Sequence, residues 1–108
     1  MESVANAFRY PDIQNNSTVW SSGLKELFGY DLKEFTNSEQ MWVSKIYPEE
    51  RERIQISFVT SLKNKTADHW KESYRLLKSD GDHLCLLDRE TTIRDNRRKA
   101  LRVFARYV

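Results

Sequence analysis

The stretch "YRLLKSDGDHLCLLDRE", residues 74 to 90, restricts this chain more than any other. Two apolar-rich runs flank Ser79-Asp80-Gly81-Asp82, and Asp-Gly between such runs is the strongest short-range signal for a β-hairpin. A strand sends alternate side chains to opposite faces. Counting outward from the turn, with a loop of either two or four residues, position 76 faces 85 and position 72 faces 89. Leu76, Cys85 and Leu87 then share one face, and Leu77, Leu84 and Leu86 share the other. A chain of 108 residues builds one core. One face of this hairpin therefore requires a cover other than its own interior.

The rest of the chain supplies further strands and the helices that cover them. Short strand candidates lie at Ala7–Tyr10 and Thr18–Trp20, with the turn formers Pro11, Asp12, Asn15 and Asn16 between them. Leu24, Leu27 and Phe28 stand at helical spacing, and Gly29 follows where a left-handed cap ends a helix. Asp31 with Glu34 marks a further helix start. In "YPEERERIQISFVTSLKNK", Pro48 sits at the first helical position and Glu49 and Glu50 in the first turn. Ile54, Phe58 and Leu62 recur every four residues with Val59 beside them. After Asp68 the period becomes two. "HWKESYRLLK" and "HLCLLDRETTI" form the hairpin. "ALRVFARYV" adds a strand in which Leu101, Val103, Ala105 and Tyr107 alternate with Arg102, Phe104, Arg106 and Val108. The order predicts an α+β fold, a five-stranded antiparallel sheet covered on one face by short helices and one longer helix.

Composition narrows the chemistry. No apolar run approaches the roughly 18 residues of a membrane-spanning helix, and the N-terminus has no signal-peptide pattern. A net charge of +2 is small for a nucleic-acid partner. The basic run "RDNRRKALR", Arg94 to Arg102, reads as a solvated turn, with Asn96 as its left-handed residue. Binding of nucleic acid through it is the weaker alternative. No phosphate loop or nucleophile elbow is present, and no serine has a local His/Asp arrangement. His69, His83 and Cys85 are the soft ligands. His83 and Cys85 share a face while His69 lies far along the hairpin, and two ligands do not make a structural zinc site. No catalytic or metal site is expected.

Three segments in order, "LFGYDLKEF", "WVSKIYPEERERI" and "ESYRLLKSDGDHLCLLDRE", resemble the motifs of a PAS sensory domain with its PAC stretch. The resemblance spans nearly the whole chain. Tyr47 stands where many relatives have His, Cys85 where many have Trp, and the turn "RDNRRKA" lacks the usual Gly. The resemblance implies a signal-input or dimerisation module, residues 1–108, cut from a larger cytoplasmic or membrane-associated signalling protein. A sensor histidine kinase is the expected effector, and a diguanylate cyclase the alternative. It also implies no haem, since haem-binding relatives use a helical His, and no flavin, since photosensory relatives use a Cys in a helical motif. From another class, a small α+β ligand-converting enzyme would need a deep pocket holding His69 or His83 with a carboxylate.

Relatives place the residue at position 85 toward the core. On that pattern Trp70, Glu72, Tyr74, Cys85, Leu87 and Arg89 face inward, and Glu72 pairs with Arg89 across the strands. A ligand pocket would then draw on Trp42, Glu72, Tyr74 and Arg89. The opposite face would present Leu77, Leu84, Leu86, Phe104 and Val108, an apolar contact surface for a second copy, for the segment Met1–Phe8 or for a neighbouring domain. A homodimer through this outer face is expected, with no nucleic acid and no direct membrane contact.

Overall fold

The computed structural model describes residues 7–30 and 39–108. The expected Asp31–Glu34 helix start, Phe35 and the first six residues lie outside them. Five strands form one antiparallel sheet in the order β2-β1-β5-β4-β3: β1 Phe8–Asp12, β2 Ser17–Trp20, β3 His69–Leu77, β4 His83–Arg94 and β5 Ala100–Tyr107. Among the described residues, three helices lie between β2 and β3: α1 Ser22–Phe28, α2 Glu39–Lys45 and α3 Arg51–Lys63, with a 3-10 turn at Pro48–Glu50 leading into α3. The α+β architecture is as the periodicities predict.

Local chemistry accounts for the boundaries. Ser21 caps α1 by accepting the Leu24 N–H, and Gly29 ends it at φ 74°. A Cβ at Gly29 would also approach the Ser79 hydroxyl to 2.7 Å, so the glycine allows the hairpin turn to sit on the helix end. Leu24, Phe28, Trp42, Ile54 and Phe58 turn inward from the helices and meet Trp70, Tyr74, Leu76, Leu86, Val103 and Tyr107 from the sheet. The exposed edge of β3 is covered in turn: Tyr47 donates its N–H to the Arg75 carbonyl, and Glu50 accepts the Arg75 N–H at 3.0 Å. That contact removes unpaired edge groups open to another chain.

The β3–β4 hairpin departs from the expected register by one residue. The Lys78 N–H bonds the Asp82 carbonyl, the Gly81 N–H bonds Lys78, and Gly81 is left-handed at φ 90°. This is a three-residue loop with a glycine bulge, an odd count where even ones were expected. Leu76 therefore faces Leu84, Tyr74 faces Leu86, and Glu72 faces Asp88. The whole of β4 turns over relative to the expectation. Leu84 and Leu86 point into the core, whereas Cys85 and Arg89 are exposed on the outer face. Arg89 lies opposite Lys71, so the predicted Glu72–Arg89 pair does not form. Glu72 instead accepts from Arg53 at 3.0 Å and from Ser57 on α3.

The β4–β5 turn repeats this geometry. The Asp95 N–H bonds the Lys99 carbonyl, the Arg98 N–H bonds Asp95, and Arg98 is left-handed at φ 67°. The left-handed residue is thus Arg98 rather than Asn96. Its side chain reaches Asp68 and the Lys65 carbonyl, contacts that hold a non-glycine residue there.

Arg94, expected in a solvated turn, is an internal clamp. Its side chain is 1 % exposed. Its guanidinium donates to the carbonyls of Ser61, Leu62, Asn64, Ala67 and Arg98, and its Nε to Asp68. Several of these carbonyls are the orphan acceptors at the end of α3. Lysine has the charge but not the planar fork. Arg94→Lys is expected to lower stability by about 2–3 kcal/mol, since bonds to charged groups contribute roughly 1.5–3 each. Urea unfolding of the two proteins measures this, and a change below about 0.5 kcal/mol would show that the carbonyls find other donors.

Candidate functional site

Beneath the helices the inner sheet face carries a polar cluster. The strand order sets β1 beside β5 and β5 beside β4, so Arg9, Tyr107, Asp88 and Glu90 converge under α2. Arg9, Asp88, Tyr74 and Tyr107 are all fully or almost fully buried, and Glu90 is 4 % exposed. A buried guanidinium persists only where carboxylates and hydrogen bonds replace water. Arg9 Nη2 donates to Glu90 Oε2 at 2.7 Å and lies 3.8 Å from Asp88 Oδ2. Arg9 Nη1 is 3.5 Å from Glu39 Oε1 at the start of α2. Its planar face stacks on Trp42, 3.8 Å from the ring centroid, a cation–π contact strengthened by desolvation.

A hydrogen-bond chain runs through the other members. Trp42 Nε1 donates to Tyr74 Oη at 2.9 Å, Tyr74 donates to Asp88, and the Tyr74 and Tyr107 hydroxyls are 2.8 Å apart. Glu39 accepts from Thr18 on β2 at 2.5 Å. Among the described residues, Arg9 Nε and Nη1, Asp88 Oδ1 and Glu39 Oε1 have no hydrogen-bond partner. A cleft of about 210 Å³ between α2, α3 and the β1–β2 turn is lined by Glu39, Trp42 and Phe58. Two of these side chains touch Arg9 directly, so the cleft leads toward the cluster.

The electrostatics follow from burial. Burial pushes the Glu90 carboxyl well above the usual range. Arg9 opposes this, and the adjoining Asp88 reinforces it. Asp88 is raised by burial too, against the pull of Arg9. Tyr74 and Tyr107 are raised by burial and stay neutral hydroxyls. Burial lowers Arg9, but the surrounding Tyr107, Glu90, Glu39 and Asp88 hold it well above its ordinary value. Glu90 therefore keeps its proton to higher pH than an ordinary glutamate.

A carboxyl raised on folding favours the fold fully below its ordinary pKa of 4.5, and that contribution is lost as pH rises through the raised value. Two surface carboxyls act in the opposite direction. The Arg98 hydrogen bond lowers Asp68, and the Arg75 hydrogen bonds lower Glu50 despite its partial burial. Their contribution is present at neutral pH and lost on acidification. The urea midpoint is thus expected to pass through a maximum with pH. Glu90→Gln should shrink the decline on the alkaline side and leave the acid limb in place. An unchanged alkaline limb would mean that Glu90 is ionised at its ordinary pKa.

Of the four residues expected at a ligand pocket, the fold joins Trp42 and Tyr74. Glu72 lies on the inner face but toward α3, and Arg89 lies on the outer face. Arg9, Asp88, Glu90 and Tyr107 were not anticipated. A signal existed: Asp88 and Glu90 are two residues apart and so share a strand face, which demands a cation if that face is buried. Of the expected outer residues, Leu77, Phe104 and Val108 are outside, and Leu84 and Leu86 are not. Phe8, Tyr10 and Phe104 instead form a patch of mutually tilted rings there, with ring centroids of Phe104 5.4 Å from Phe8 and 5.0 Å from Tyr10. Among the described residues, no helix is long and apolar enough to cross a membrane.

The fold is shared with solved structures of low sequence identity. A sensory box histidine kinase/response regulator from Burkholderia thailandensis superposes with a TM-score of 0.77 at 17 % identity, covering 97 % of this chain and 76 % of its own. The N-terminal domain of a diguanylate cyclase with PAS/PAC sensor from Marinobacter aquaeolei gives 0.81 at 17 %, covering 94 % and 93 %. The PAS domain of the fruit-fly ELK potassium channel gives 0.71 at 17 %, covering 95 % and 85 %. No curated protein matches by sequence. The sequence profile of the PAS fold matches residues 17–105, from the start of β2 into β5. The chain belongs to the PAS fold family.

Proposed function

We propose that this chain is a non-catalytic sensory module that supplies signal input to a downstream effector in the cytoplasm, with a sensor histidine kinase as that effector and a diguanylate cyclase as the second reading. The observation that carries it is the buried Arg9–Asp88–Glu90 cluster with unfilled hydrogen-bonding capacity. A domain that needed only a core would be equally well served by apolar residues. Glu39 and Trp42 line the cleft and contact Arg9, so a small polar ligand held there can act on the cluster through them. The histidine kinase and diguanylate cyclase among the structural neighbours support the choice of effectors.

The module pairs with a second copy through the outer sheet face. Phe8, Tyr10 and Phe104 supply the aromatic centre and Val19 and Val108 exposed aliphatic surface, in place of the Leu84 and Leu86 contacts expected from sequence. Sedimentation of the wild type and of Phe104→Lys tests this. A wild type that stays monomeric at high concentration would remove the pairing.

The input role is tested in a chimera in which this domain replaces the PAS domain of a histidine kinase with measurable autophosphorylation. Small polar metabolites are first screened by NMR for shifts at the Trp42 indole and Arg9 Nε resonances. A hit should change kinase activity, and Glu90→Gln should shift or abolish the response. A hit that leaves the kinase unchanged, or turnover of the metabolite by the isolated domain, would overturn the sensory reading.

A further inference from the structure

We infer that a groove between the end of α3 and the β4–β5 turn is a docking site for an acidic amphipathic helix of a partner protein. The inference is independent of the ligand cluster and of the outer sheet face. The groove encloses about 580 Å³. Its floor is apolar, made by Val59 and Leu62 of α3 with Ile13 and Ala100. The floor continues along α3, where Ile56 is 59 % exposed and Val59 41 %. Ile56, Val59 and Leu62 follow at successive spacings of three, one stripe along the helix surface. Such a stripe on a solvent-facing helix surface, beside a concave groove, marks a contact site rather than scattered surface residues.

The walls supply the charge complementarity. Lys63 and Lys65 stand on the α3 side, and Arg97, Arg98 and Lys99 on the turn side; Asp95 is the one carboxylate among the described lining residues. Arg98 is engaged by Asp68, and the Asp95 carboxylate accepts the backbone N–H groups of Arg97 and Lys99. No described residue offers a carboxylate to the side chains of Lys63, Lys65, Arg97 or Lys99. Four cations without partners therefore flank an apolar floor on a chain whose net charge is only +2. A helix with apolar residues at i, i+3 and i+7 and carboxylates on both flanks matches this pattern. It would cover Ile56 and Val59 as it does so.

The alternatives fit less well. Single-stranded nucleic acid binds basic grooves that also offer aromatic stacking platforms, and among the described residues no aromatic side chain lines this one. A membrane surface is met by apolar side chains that project from a basic face, whereas here the apolar residues form the floor and the cations the rim.

The test uses a fluorescein-labelled 18-residue helical peptide, with Leu at i, i+3 and i+7 and Glu on the flanks, and its Glu→Lys counterpart. The acidic peptide is expected to bind, to weaken with salt and to shift the amide resonances of Val59, Leu62, Lys63 and Ala100. Lys63→Glu/Lys99→Glu should weaken it at least tenfold, and Val59→Ser several-fold, with the melting temperature unchanged in each. Equal binding of the Lys counterpart, or shifts confined to the outer sheet face, would overturn the inference. It would also fall if oligo(U) or vesicles of phosphatidylcholine with phosphatidylserine bound in a Lys63/Lys99-dependent way while the peptide did not.

Discussion

Arg9→Met is expected to lower the unfolding free energy by about 3–5 kcal/mol, the range for removing one partner of a buried ion pair. The loss comes less from the missing attraction than from what stays behind. Asp88 and Glu90 remain sealed beneath Trp42, Tyr74 and Tyr107 with no counter-charge. Domains of this size have about 5–15 kcal/mol in total, so the variant will be poorly populated at 37 °C. The triple variant Arg9→Met/Asp88→Asn/Glu90→Gln removes the guanidinium together with both carboxyls and should recover a large part of the loss. That recovery separates charge burial from lost packing. Urea unfolding at neutral pH measures all three proteins. A triple variant no more stable than the single one would indicate that the stack on Trp42, not the charge balance, is what Arg9 supplies.

Trp42→Ala is expected to cost a similar amount, about 3–5 kcal/mol, by a different route. Trp42 is fully buried on α2 and packs edge-on against Phe58 and Tyr74, 5.1 and 6.2 Å between centroids. It also covers Arg9 and donates to Tyr74. Its loss leaves a cavity over a charged group, and water entering there would relieve the charge and expand the core. Trp42→Phe keeps a ring over the guanidinium but loses the donor and some volume, and should cost about 1–3 kcal/mol. Near-equal destabilisation by Ala and Phe would assign the effect to the indole N–H. A fall in Glu90's raised pKa in the Ala variant, followed by NMR, would mark the arrival of water.

The fold was legible because its signals are local. Ile54, Phe58 and Leu62 repeat at helical spacing, Gly29 ends a helix, and Asp80-Gly81 ends a strand, each for reasons within a few residues. The site was not legible because it depends on one quantity that sequence leaves open, the parity of a loop. Leucines occur at both parities around the turn, so apolar pattern cannot choose between the registers. An even loop sends Cys85, Leu87 and Arg89 inward, and the observed odd loop sends Leu86, Asp88 and Glu90. Expecting the residue at 85 to face the core, as in relatives with Trp there, favoured the wrong choice. Exposed Cys85 shows how this chain departs from that pattern. Arg9 was hidden for another reason: the strand that carries it is short, and its partners lie about 80 residues away in sequence. Arg94 was misread because a basic run is ordinarily solvated, and only the approach of the α3 end to β4 supplies the carbonyls that enclose it.

The three-residue turn at Ser79–Gly81 sets a reading frame for the sheet. Gain or loss of one residue there acts as a frameshift does on codons, exchanging the entire set of inward side chains for the outward set unless a bulge absorbs it. Leu87, Arg89 and Thr91 would then enter the core where Arg9 waits for carboxylates. Length changes at this turn should therefore survive in steps of two, so that among descendants of this chain loop lengths of one parity go with an Arg9-type core and the other parity with a core of different chemistry.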